Sequence, residues 1–199
     1  MNNKNVGLNI INYMKSLGMR VHPTHNIVYL EGCDPDTYEL NDDKLDEWND
    51  VRMVISEDGE IKMSCFATTE PGAYYTFHPM NPGGAARIQL GVQFKDAWTF
   101  GDHHGQDALV QCGTITVCRD FNQDGYRTGD KLDTGDNFGV DQHTTINDPN
   151  TIGKWSAGCL VGRHESTHSK FMKLCRESGL KKFDTVVFDA SELKKLNLI

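Results

Sequence analysis

The sequence predicts a mainly β, α+β fold with a few flanking helices. Short apolar runs recur between residues 26 and 145, separated by Gly, Pro, Asn and Asp, which is a strand rhythm. Two of them, VRMVIS and IKMSCFATT, flank Glu57-Asp58-Gly59-Glu60, a hairpin signal. Helical periodicity is confined to the two ends of the chain.

Taken in order, Val6, Ile10, Met14 and Leu17 mark one face of a helix over 5–17, which Gly18 ends. Strands are predicted at NIVYLEG (26–32), at the two hairpin runs, at ARIQLGVQF (86–94), at ALVQCGTITVCRD (108–120) and at NFGVDQHTT (137–145). The acidic stretch 34–50 reads as a solvated loop, and NPGG as a turn before a strand. A second helix fits 163–178, with Thr167, Phe171, Leu174 and Cys175 on one face and Gly179 as its stop. FDTVVFDA then reads as a buried strand and SELKKL as a short terminal helix. No repeat or low-complexity linker interrupts the chain, so 1–199 reads as one domain.

At 38% hydrophobic and 24% charged residues, the chain can bury a core. Its net charge is −8, and no Lys/Arg run exceeds two, which argues against a nucleic-acid partner. No long apolar run predicts membrane insertion. The opening MNNKNVGLNIINYMKS does not read as a secretory signal, so synthesis in the cytoplasm is expected. None of the six cysteines has CxxC spacing. Five read as structural thiols and Cys159 as something else.

Cys159 follows Ser156, Ala157 and Gly158, small residues that let backbone N–H groups approach a developing oxyanion. His143 lies 16 residues upstream, at the end of a predicted strand, where it could serve as base. A paired thiol of this kind is expected to have a depressed pKa and to alkylate first. The alternative is a buried structural Cys beside an unrelated surface His.

His143 followed by Ser156-Ala157-Gly158-Cys159 resembles the signature of L,D-transpeptidase (YkuD-type) catalytic domains, a His followed by Ser-His-Gly-Cys and then an Arg. The detailed likeness covers 137–163. The wider chain also resembles phage and prophage proteins with an RD-N-D…GD…FG…H…SAGCLVGR arrangement. The resemblance implies a β-sandwich-like catalytic domain without a cofactor. It makes Cys159 the nucleophile and His143 its base, with the Thr144 carbonyl orienting the imidazole. The N–H groups of Gly158 and Cys159 would line the oxyanion hole. Trp155, Ser156, Arg163 and His104 are the candidate substrate-binding residues. Two positions depart from the family: its second His is Ala157 here, and Val161 stands where its Arg would be, leaving Arg163 nearest. The implied activity is hydrolysis or transpeptidation of peptidoglycan stem peptides at the cell wall or in the periplasm. A lysin-like hydrolase is the favoured form.

Two other patterns compete. His164-Glu165-Ser166-Thr167-His168 is an HExxH, which on a helix can hold zinc, with Glu165 as general base and Asp189 or Glu192 as a third ligand, so a zinc metallopeptidase is one alternative. Asp120, Asn122, Asp124 and Gly125 copy the first half of a calcium loop, but Lys131 stands where a bidentate acid is needed, so an Asx-rich turn is expected. No metal is therefore assigned. A non-enzymatic wall-binding or virion module with a degenerate site is the remaining alternative.

Overall fold

The computed structural model describes residues 3–199, and it is mainly β. Strands β1 (Asn26–Glu31), β2 (Asp50–Ile55) and β3 (Ile61–Thr68) form an antiparallel meander, with Tyr29 opposite Arg52. The period of two is plain in β1. Ile27 and Tyr29 join one apolar cluster, while Val28 and Leu30 join another on the opposite face. Helices α1 (Asn3–Ser16) and α4 (Ala190–Lys195) cover that second face through Val6, Ile10, Ile11, Met14 and Leu193. Leu17 is not part of this seam. It is exposed, and Ile11 takes the buried place, because the helix turns to lay a wider stripe on the sheet.

The larger sheet continues through the hairpin β5 (Gln93–His103)–β6 (Gln106–Gln111) and the short parallel pair β9 (Gln142–Thr144)–β10 (Leu160–Gly162). Strand β11 (Lys182–Asp189) inserts between β1 and β5, parallel to the first and antiparallel to the second. The result is a closed barrel of order β1-β11-β5-β6-β9-β10-β3-β2. A separate three-stranded sheet contains β4 (Ala85–Ile88), β7 (Ile115–Asp120) and β8 (Lys131–Gly135). Closure of the larger sheet on itself replaces the expected sandwich-like pair of open sheets.

Several sequence expectations change at glycines. The run 86–94 is two strands in different sheets, because Gly91, at φ +73°, turns the chain between them. The run 108–120 likewise divides near Gly113 into β6 and β7. Of 137–145, only Gln142–Thr144 is strand, and β8 and the short helix α2 (Ala73–Phe77) were not expected. The stretch 34–50 is not simply solvated: Tyr38, Trp48 and Asp50 are buried, and the Trp48 indole donates to the Pro149 carbonyl at 2.8 Å. Helix α3 (Glu165–Glu177) buries His168, Phe171, Met172 and Cys175. Leu174 only packs at the margin of the cluster. Cys112 is exposed rather than structural.

Candidate active site

Parallel pairing sets His143 of β9 opposite Val161 of β10, and Cys159 is the residue just before β10 begins. Gly158 has φ +135°, and a Cβ there would sit 2.6 Å from the carbonyl oxygen of Ala86. Only glycine lets the chain approach β4 so closely just before Cys159. Ser156 closes the turn from within. Its buried hydroxyl donates to the Cys159 carbonyl at 2.8 Å and accepts the Gly158 N–H at 3.1 Å. Ser156 is thus a brace under Cys159, not the expected substrate contact. The Gly158 N–H is also spent on this brace, which removes it from the expected oxyanion hole. The N–H of Cys159 makes no hydrogen bond among the described residues.

Cys159 opens onto a cavity of about 1150 Å³ whose walls include His103, His104, Arg119, Phe138, His143 and Trp155. The Nδ1 of His143 lies 2.9 Å from the Thr144 carbonyl, as the resemblance implies. A carbonyl only accepts, so Nδ1 carries the proton and Nε2 the lone pair. That Nε2 is buried and has no hydrogen-bond partner. The His103 ring stacks on His143 at 3.9 Å and 12° between planes, and its Nδ1 meets Asp141 Oδ2 at 2.8 Å. One donor atom each from His103, His143 and Cys159 all lie within 4.8 Å of one another. Among the described residues this is the group placed to hold a metal ion.

Burial sets the protonation state. It pushes the Cys159 thiol up to about 12, against a backbone hydrogen bond from Asp141 that favours the thiolate. It also lowers His143 to about 3, with His103 adding to the effect. The resting pair is therefore thiol and neutral imidazole, not the expected low-pKa thiolate. Such a pair transfers its proton as the sulfur attacks, and an imidazole with an open lone pair is the acceptor this needs.

The expected positions divide. Cys159, His143, His104 and Trp155 converge on the cavity, and Thr144 does its part through its carbonyl. Arg163 does not reach it. Its backbone N–H is tied to the Phe66 carbonyl of β3 at 3.0 Å, and its carbonyl accepts the Thr145 hydroxyl, which keeps the side chain off the cavity wall. The cation on the wall is instead Arg119 of β7, paired with Asp133 at 2.9 Å and lying over the Phe138 ring. Lys154, over the Tyr74 ring, is a second.

Arg52 was not anticipated either. Fully buried, it donates to the carbonyls of His143 at 3.0 Å and Leu160 at 2.8 Å, binding β9 to β10 beneath the site. It also donates to the Tyr29 hydroxyl at 2.6 Å and to His168 Nδ1 at 3.0 Å. His103 stands in the sequence as half of a His-His doublet, and nothing local marks Arg52 or Arg119. They arrive from distant strands.

The competing motifs are occupied by structure. His168 accepts from Arg52 at Nδ1 and donates from Nε2 to the Asp107 carbonyl at 2.8 Å, so neither nitrogen is open to zinc. His164 lies outside the helix as its N-cap, beside Asp148 at 3.2 Å. Asp120 accepts the N–H groups of Asp124 and Gly125 at 3.1 Å each, and Arg87 at 3.3 Å. Asn122 donates to Asp124 at 2.7 Å. This is the expected Asx-rich turn, with an arginine at its acidic centre.

Against family models, curated proteins and solved structures alike, the chain has no match.

Proposed function

We propose that this chain is a cysteine-dependent acyl-transfer enzyme, L,D-transpeptidase-like in its chemistry, that acts on peptidoglycan stem peptides. The observation that carries the reading is the buried, unpartnered Nε2 of His143 beside Cys159 in one cavity, with its tautomer held by Thr144. The resemblance of His143…Ser156-Ala157-Gly158-Cys159 supplies the substrate class.

In the proposed reaction the Cys159 sulfur attacks a peptide carbonyl while His143 takes the thiol proton. The free Cys159 N–H is the donor suited to the oxyanion. As the C–N bond breaks, the imidazolium returns its proton to the leaving amine, and a thioester remains. His143 then deprotonates water, which releases a carboxylate and restores the thiol. An amine acceptor in place of water gives transpeptidation. A cavity of about 1150 Å³ suits an extended peptide, and Arg119 and Lys154 suit its carboxylates.

The test is incubation with purified peptidoglycan and mass spectrometry of the released peptides. The wild type is expected to release or exchange stem residues, and Cys159→Ala to lose at least ~10³-fold of the rate. Release that is unchanged in Cys159→Ala would reject the proposal.

A further inference from the structure

The same three side chains have a second capacity, which does not depend on the acyl-transfer reading. A tetrahedral zinc site needs ligands at about 2.0–2.1 Å for nitrogen and about 2.3 Å for sulfur, which sets ligand atoms about 3.5 Å apart. The donor atoms of His103, His143 and Cys159 lie within 4.8 Å of one another, and the two stacked imidazoles, 12° from parallel, must splay to aim both lone pairs at one ion.

The surroundings are those of a ligand set. A metal-bound imidazole donates its other N–H to a carboxylate or carbonyl, which fixes the lone pair toward the ion. His103 has Asp141 at 2.8 Å from Nδ1, and His143 has the Thr144 carbonyl at 2.9 Å. The second nitrogen of His143 is buried, in a side chain only 2% exposed, and is without any partner. An orphaned acceptor of this kind is costly unless something fills it. The cavity meets all three residues, leaving a path for entry and room for a fourth ligand.

We propose that His103, His143 and Cys159 form a binding site for a borderline-soft divalent cation, zinc being the ion that two imidazoles and a thiolate suit, and that its occupancy silences the thiol. On binding, the Cys159 S–H bond breaks, its proton leaves to solvent, and a sulfur–metal bond forms. The ion takes the His143 lone pair at the same time. The thiol and the open imidazole lone pair are thus taken up together, so the metal-bound state and a free, alkylatable thiol exclude each other.

The experiment uses the whole chain and zinc alone. Competition with a chromophoric chelator is expected to give one tight zinc per chain, and cobalt substitution a near-ultraviolet thiolate-to-cobalt band. Zinc should protect Cys159 from iodoacetamide, and EDTA should restore its alkylation, a readout that needs no peptidoglycan activity. His103→Gln, which removes a ligand, is expected to weaken binding by more than the ~10–100-fold that loss of an outer-shell partner costs, and Cys159→Ser to abolish the cobalt band. His164→Ala should leave stoichiometry and affinity unchanged. Absence of tight zinc, a cobalt complex without the thiolate band, or loss of the site in His164→Ala would each overturn the proposal. If Cys159→Ala keeps peptidoglycan release while zinc still protects the wild-type thiol, the acyl-transfer reading fails and the metal site stands.

Discussion

At the cavity wall the Cys159 thiol and the His143 imidazole are neutral and one ring nitrogen is left open, whereas a second buried cluster, on the far side of β4, is charged and densely paired. There Arg87, fully buried, reaches Glu70 at 2.5 Å, Asp120 at 3.3 Å and Thr76 at 3.3 Å. Arg127 grips both oxygens of Glu31 at 2.5 and 2.6 Å and adds Glu70 at 3.1 Å. The Thr69 hydroxyl lies 2.6 Å from Glu31 and 2.9 Å from Asp50, though it has one proton to give. Burial and the neighbouring Glu31 charge hold the Asp50 carboxyl well above the usual carboxylate range. Adjacent residues of one strand serve the two clusters: Ala86 abuts Gly158, and Arg87 points the other way. Paired charge locks the small sheet to the barrel, and the unpaired lone pair beyond it is free for chemistry.

Breaking the charged cluster should have the largest effect on stability. Arg87→Met leaves buried Asp120 without its cation and Glu70 with Arg127 alone, and is expected to cost about 3–5 kcal/mol and about 10 °C in Tm by thermal circular dichroism. A loss below about 1 kcal/mol would show that the network is dispensable.

A smaller effect follows from the buried imidazoles. Burial lowers His168 and His143 to about 3 and His25 to about 4, against 6.5 in the unfolded chain. Below pH 6.5 the unfolded chain therefore binds protons that the folded chain refuses, and stability falls as pH drops toward 3. The raised carboxyls of Asp50 and Glu70 act in the opposite sense, stabilising in acid and losing that contribution as pH rises. Both variants of a pair share that background. His168→Gln should flatten the acid limb of ΔG against pH by about 1.4 kcal/mol per unit, measured by urea unfolding from pH 6 to 4. An unchanged slope would mean that His168 is protonated in the folded state.

The mildest contrast lies among thiols. Iodoacetamide at pH 7 should alkylate exposed Cys112 before Cys159, whose pKa near 12 keeps it protonated, as peptide mapping would read. Faster labelling of Cys159 would show that the site stabilises thiolate after all.

The meeting of Cys159, His143 and the Thr144 carbonyl was legible in the sequence because they lie within one stretch, 143–159, whose small residues announce a tight turn. Terminal helices and the β2–β3 hairpin were legible for the same reason, as local period and turn chemistry determine them. His103, Asp141, Arg52 and Arg119 were not, since register between distant strands brings them in and no local pattern records it. The two runs that proved to be four strands failed differently. Apolar alternation passes straight through Gly91 and Gly113, and only the partner sheets on either side separate the halves.

The place of β11 in the barrel has a consequence for synthesis. Thr185 pairs with Ile27 and also with Phe94, partners made long before it. Until residues 182–189 leave the ribosome, β1 and β5 each carry a bare edge, and the ring that frames Cys159 is open. Such distant pairings form slowly and leave the nascent chain prone to sticking. The ring around Cys159 thus closes only after β11 has been made, and a ribosome stalled before it holds an unassembled, adhesive precursor.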